Sequence, residues 1–142
     1  MKFSPDVWGP HYWFFLHTVA ESYPLWPNQV TKRKYYDLIQ NFPLFIPDGE
    51  IGDKFSRLLD KYPVTPYLDS RESFLRWTIF MHNKINALLG KEELSLAVAL
   101  DKYKSEYKPR ITKITETLHL KKHLLYAVFI IVCFLLIYIY HK

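Results

Sequence analysis

Two short stretches of the chain place aromatic and polar side chains at spacings that could hold a flat ring. In the run His82-Asn83-Lys84-Ile85-Asn86, followed by Leu89-Gly90-Lys91, His82 and Asn86 are four residues apart. On a helix they share one face. An imidazole and a carboxamide beside Ile85 and Leu89 would pack on a heterocycle and hydrogen-bond its edge. Trp13 and His17 repeat the spacing near the N-terminus and would form an opposing aromatic wall. Lys91, just past the helix, could meet an anionic group. Each residue also has a plainer role. Trp8 and Trp13 would fill a core, His17 would be a satisfied interior histidine, Asn83 and Asn86 would solvate or cap the helix, and Lys91 would be a solvated charge.

A third cluster is acidic: Asp48, Glu50 and Asp53 within nine residues that begin at Pro47. As a cation site it lacks the alternating ligand order of a calcium loop. It reads better as a helix start, with Asp48 at the N-cap and Glu50 and Asp53 facing the positive end of the helix dipole. No metal is expected. The one cysteine, Cys133, permits no disulfide within the chain and no thiolate metal site.

The elements that must position these residues follow from helical periodicity. A first helix is expected over 10–23, with Pro10 in its first turn and Trp13, Leu16, His17 and Ala20 inward. A second should run from an N-cap at Thr31 to Phe42 through Tyr35, Leu38 and Ile39. A third spans 48–61 around Ile51, Phe55, Leu58 and Leu59. The fourth starts at Ser70, stops at Gly90 and buries Phe74, Trp77, Met81, Ile85 and Leu88. A shorter stretch covers 94–107. Prolines at 24, 27, 43, 47, 63 and 66 punctuate the first three connections. No alternating β-branched run or hairpin signal is present, so the class is all-α and the architecture a helical bundle.

The first hundred residues balance acidic and basic side chains, so the net charge of +5 arises in the remainder. That basic excess flanks Leu124–Tyr140, 17 residues without a charge. As a helix this segment is roughly 26 Å long, enough to cross a bilayer with slight thinning. A soluble core helix should show a polar stripe, and this one has none. Tyr126, Tyr138 and Tyr140 suit the interfacial aromatic belt. Basic residues precede the span far more than they follow it, which puts the folded domain on the cytosolic side. Ile111, Ile114 and Leu118 continue a helical pattern into the span. Basic charge beside a hydrophobic tail argues against nucleic acid as a partner. No secretory signal opens the chain. The expected organisation is a helical bundle over 1–92, a basic helical stem over 93–122 and an anchor over 123–142.

Three stretches taken in order are more specific than any one alone. They are Trp8-Gly9-Pro10-His11-Tyr12-Trp13 with Leu16-His17-Thr18, then Lys34-Tyr35-Tyr36 leading to Pro43 and Ile46-Pro47, then Trp77 with His82-Asn83-Lys84-Ile85-Asn86 and Leu89-Gly90-Lys91. Over about residues 6–92 the chain resembles the FAD-linked sulfhydryl oxidases of the Erv/ALR family. The resemblance implies a four-helix bundle with a short fifth helix and FAD at the bundle mouth. It assigns flavin contacts to Trp8, Gly9, Trp13, His17, His82, Asn83, Asn86 and Lys91. It also implies homodimers and, in this minimal tail-anchored form, a viral type.

The resemblance fails where that chemistry requires it most. The family carries Pro-Cys-x-x-Cys at the start of its third helix, where the helix N-terminus lowers the thiol pKa. Aligning Pro47 and Phe55 puts Asp48 and Ile51 at the two cysteine positions. No catalytic residue remains, and Cys133 lies in the anchor. The chain is therefore expected to be a redox-inactive, membrane-anchored structural or assembly protein of a large DNA virus. Its partners would be capsid or membrane-associated viral proteins, and its location a virion membrane. The alternative is a flavoprotein of the thiol oxidase type that works with an external redox partner.

Overall fold

The computed structural model describes residues 3–141; of residues 110–117, 120 and 133 it describes the backbone alone. The side chains of Ile111 and Ile114, and that of Cys133, therefore lie outside the described residues. Six α-helices follow one another: α1 Pro5–Glu21, α2 Gln29–Asn41, α3 Gly49–Lys61, α4 Arg71–Leu88, α5 Leu96–Ser105 and α6 Arg110–Tyr140. Short 3₁₀ turns at Phe42–Phe45 and Thr65–Tyr67 sit in the proline-marked connections. No strand occurs among the described residues.

The helix starts show which local signal wins. α1 begins at Pro5, five residues earlier than Pro10 suggested. Pro5 takes the first-turn position that suits proline, and the Ser4 carbonyl accepts the amides of Val7 and Trp8 at 3.0 and 3.2 Å. Pro10 is consequently inside the helix, where its missing N–H leaves the ladder one bond short. α2 is capped by Asn28, not Thr31: the Asn28 carboxamide oxygen accepts the Thr31 amide at 2.8 Å. Asp48 and Ser70 cap α3 and α4 as expected, accepting the amides of Ile51 and Ser73. Gly90, at φ +68°, supplies the left-handed residue that ends α4.

The chain divides into two compact units, Met1–Tyr103 and Lys104–Lys142. In the first, α1 and α4 pack as the central pair, with α2 and α3 closing the bundle. Leu16, Phe55, Phe74, Trp77, Met81 and Ile85 form its core. Leu88 does not join them: it is 51% exposed, and Leu89 packs against the core instead, because α4 ends before another inward turn is completed. Two buried polar side chains are tied to backbone: Tyr23 donates to the Leu68 carbonyl and the Trp77 indole to that of Tyr62. Gly52 permits a close approach, since a Cβ there would stand 2.9 Å from the Pro43 carbonyl oxygen.

In the second unit α6 includes a 20-residue stretch, Lys121–Tyr140, long and apolar enough to cross a membrane. Every described side chain along it is exposed.

Candidate functional site

α1 and α4 run antiparallel, and this sets the candidate residues against one another. Asp6 at the start of α1 meets Lys91 beyond the end of α4 at 2.7 Å. Further along the pair, the Trp13 ring lies parallel to the His82 imidazole, with centroids 4.1 Å apart and planes 8° from coincident. That is van der Waals contact, so no third ring fits between them. His17, one turn beyond Trp13 on α1, brings its Nε2 within 3.1 Å of His82 Nδ1. Trp13, His17 and His82 thus form one aromatic and imidazole cluster.

Electrostatics keep both imidazoles uncharged at neutral pH. Burial lowers the His17 pKa to about 4. Burial lowers that of His82 to about 3, helped by repulsion from His17, Lys102 and Lys91. Between two neutral rings one nitrogen donates and the other accepts. Whichever tautomers share the bond, the second nitrogen of His17, Nδ1, is buried with no partner among the described residues. The Trp8 indole N–H is in the same condition. Each orphaned group carries a desolvation cost of about 1–3 kcal/mol.

The other expected residues serve a neighbouring purpose. Asn83 donates to the Leu94 carbonyl at 2.7 Å and accepts the Leu94 amide at 3.0 Å. Asn86 donates to the Glu92 carbonyl at 3.2 Å. Both carboxamides hold the segment that leads from α4 to α5. Gly9 is half-buried on α1, with nothing within 4 Å of a Cβ built there. Asp48 and Ile51 stand at the start of α3, where the Asp48 carboxylate accepts the Ile51 amide at 3.1 Å and the Ile51 side chain is buried. Among the described residues no group of three or more His, Cys, Asp or Glu side chains is arranged to hold a metal.

Sequence reasoning missed α5 as part of this region. Tyr103 packs edge-on against His17 and beside Phe14, and its hydroxyl donates to Thr18 Oγ1 at 3.1 Å. Only tertiary contact, 85 residues away in sequence, reveals this.

Comparison with known proteins bears on the family and the fold. The sequence model of the Erv1 / Alr family matches residues 10–108. The chain belongs to the Erv1 / Alr family. The match runs past residue 92 and takes in α5. A probable FAD-linked sulfhydryl oxidase of Acanthamoeba polyphaga mimivirus is 34% identical over 108 residues, covering 75% of this chain and 76% of that protein. A putative FAD-linked sulfhydryl oxidase of Invertebrate iridescent virus 3 is 26% identical over 104 residues, 73% of this chain and 70% of the relative. Among solved structures, the yeast Erv1 core superimposes with a TM-score of 0.67 at 25% identity, covering 76% of this chain and 90% of that one. The FAD binding domain of Saccharomyces cerevisiae Erv1 gives the same TM-score and identity, over 75% of this chain and all of that domain. The all-α family fold expected from the motifs is thus the fold of this chain, and its relatives include FAD-linked viral proteins.

Proposed function

We propose that this chain is a redox-silent Erv1 / Alr protein: a bundle that keeps the flavin site of its family without the thiols that would use it, anchored in a membrane by α6. The observation that carries the reading is the start of α3. Where a thiol-oxidising member needs a cysteine pair, this chain has a carboxylate and a buried alkyl group joined by an N-cap hydrogen bond. Neither side chain exchanges with a disulfide.

The residues present fit a flavin in part. Trp8 Nε1 and His17 Nδ1 are buried polar atoms without partners, and both belong to residues that the family motif assigns to the cofactor. Trp13, His17 and His82 would hold the ring system with neutral, hydrogen-bonding surfaces. Lys91 would supply charge toward a phosphate by releasing Asp6. Asn83 and Asn86 would act by fixing the segment after α4. When bound, FAD supplies a two-electron acceptor, and among the described residues none is placed to deliver electrons to it from a thiol.

Such a module serves best as an assembly or structural component. The viral relatives and the apolar stretch of α6 support a virion or assembly-site membrane, with the bundle on the cytosolic side by the basic flank. A homodimer, and capsid or membrane-associated viral proteins, are the partners this reading implies. The orphaned nitrogens favour a second reading, a flavoprotein that serves an external redox partner. The test is the visible spectrum of the purified full chain in detergent, with oxygen consumption in the presence of dithiothreitol. Yellow protein without turnover is expected. Turnover would overturn the redox-silent reading, and colourless protein would remove the flavin from it.

A further inference from the structure

The end of the bundle where α1 meets α2 combines exposed apolar side chains with basic ones. Leu25, Trp26 and Val30 are 59%, 92% and 65% exposed. Leu25 and Trp26 lie in the connection and Val30 in the first turn of α2; the connection is braced where the Arg71 guanidinium holds the Tyr23 carbonyl and Tyr23 bonds Leu68. From Ser22 to Tyr36 the only charged residues are Lys32, Arg33 and Lys34. Lys32 pairs with Asp69. Arg33 and Lys34 are exposed on the first turns of α2. An exposed tryptophan and leucine beside two cations match a bilayer interface, where the indole sits at the headgroup level and basic side chains meet anionic lipid.

The path of the chain points the same way. α4 ends near the start of α1, as the Lys91–Asp6 pair shows. α5 then carries the chain back along α1, so that Tyr103 reaches Thr18. Thr18 is one turn from the end of α1, where the Leu25–Trp26 connection begins. The first unit therefore ends at the same end of the bundle as its exposed apolar tip. Between Tyr103 and the membrane-length stretch of α6, Lys121–Tyr140, lie the 17 residues 104–120, of which 104–105 end α5 and 110–120 begin α6. Tethering by α6 makes even a weak lipid contact effectively intramolecular.

We propose that Leu25, Trp26 and Val30, with Arg33 and Lys34, dock the bundle onto the headgroup layer of an anionic membrane. This rests on the reading of α6 as a membrane anchor. The docked bundle faces the lipid with the α1–α2 connection and turns the opposite end, with Leu44, away from it. Leu44 is 79% exposed and follows the far end of α2, so it is an equally apolar control.

The experiment uses the full chain carrying Cys133→Ser, reconstituted at one copy per nanodisc in phosphatidylcholine with phosphatidylserine. Single cysteines introduced as Leu25→Cys, Leu44→Cys or Leu135→Cys carry an environment-sensitive fluorophore, and lipids with spin labels serve as quenchers. Strong quenching at position 25 and little at 44 is expected. Arg33→Gln with Lys34→Gln should lower the ratio of docked to undocked bundle by about 30-fold, and Trp26→Ala should lower it further. Equal quenching at 25 and 44, with 135 quenched, overturns the docking and leaves the anchor intact. A position 135 that lipid cannot quench overturns both. Protection of position 25 only in discs holding two copies assigns the surface to a second chain and overturns the lipid proposal.

Discussion

Acid should loosen this bundle through its histidine pair before it does so through anything else in the α1–α4 seam. The free-state pKa of a histidine is about 6.5, whereas folded His17 holds off protonation until about pH 4 and His82 until about pH 3. The unfolded chain therefore binds protons first as pH falls. Stability is full above about pH 6.5, declines below it, and levels off only beneath the folded values. At pH 5 the difference for His17 alone amounts to about 2 kcal/mol. His82 is less completely buried and coupled to His17, so the pair contributes at most about twice that. Against a total stability of about 5–15 kcal/mol for a small domain this is a large fraction. Urea titration of the flavin-free full chain in detergent, followed by tryptophan fluorescence between pH 7 and 5, measures the loss. The variant His17→Asn with His82→Asn supplies the background, because its other titrating groups are unchanged. A wild-type loss no greater than that of the variant would refute the argument and place both imidazoles in contact with water.

Three further substitutions probe separate features. Gly52→Ala drives a methyl toward the Pro43 carbonyl oxygen; it should cost about 1–2 kcal/mol in chemical denaturation, overpacking outweighing the helix propensity gained. Asp48→Ala removes the α3 cap and should cost about 1 kcal/mol, while Asp48→Asn, which keeps the accepting oxygen, should retain most of the stability. Asn83→Ala breaks two bonds to Leu94; amide hydrogen exchange should then speed up about 10-fold or more over residues 92–103 and leave the Trp77 core protected.

What the sequence makes legible is governed by whether a residue acts on its own neighbourhood. Asp48, Ser70 and Gly90 end or begin helices through bonds to residues within one turn, and their spacing alone reveals them. Competition between two adequate signals is harder. Asn28 and Thr31 are both good caps, and Asn28 prevails by bonding the Thr31 amide itself. Pro5 and Pro10 both suit a first turn, and the Ser4 carbonyl decides between them. Contacts across the fold leave no local trace. Nothing near Tyr103 signals that it covers His17, and nothing near Asn83 signals that its carboxamide is spent on Leu94. The motif that carries the family resemblance therefore fixes which residues gather at the α1–α4 seam, but not which partner each of them takes.

On the redox-silent reading proposed above, the start of α3 shows what can stand in place of a disulfide there. A cysteine pair three residues apart at a helix N-terminus does two jobs: it exchanges electrons, and it ties the cap position to the first turn. Only the first requires sulfur. In this chain the Asp48 carboxylate reaches the Ile51 amide, joining the same two positions by a hydrogen bond, and the Ile51 side chain is buried, 7% exposed. A short disulfide loop and an N-cap each contribute a few kcal/mol at most, so the exchange is close to neutral for folding. The two replacements are independent of one another. A carboxylate at 48 accepts the amide of residue 51 whatever side chain that residue bears, and only an apolar side chain at 51 suits its burial. On the same reading, absence of the thiols is structurally compensated at the start of α3, and the α1–α4 seam, which lies on other helices, does not depend on them.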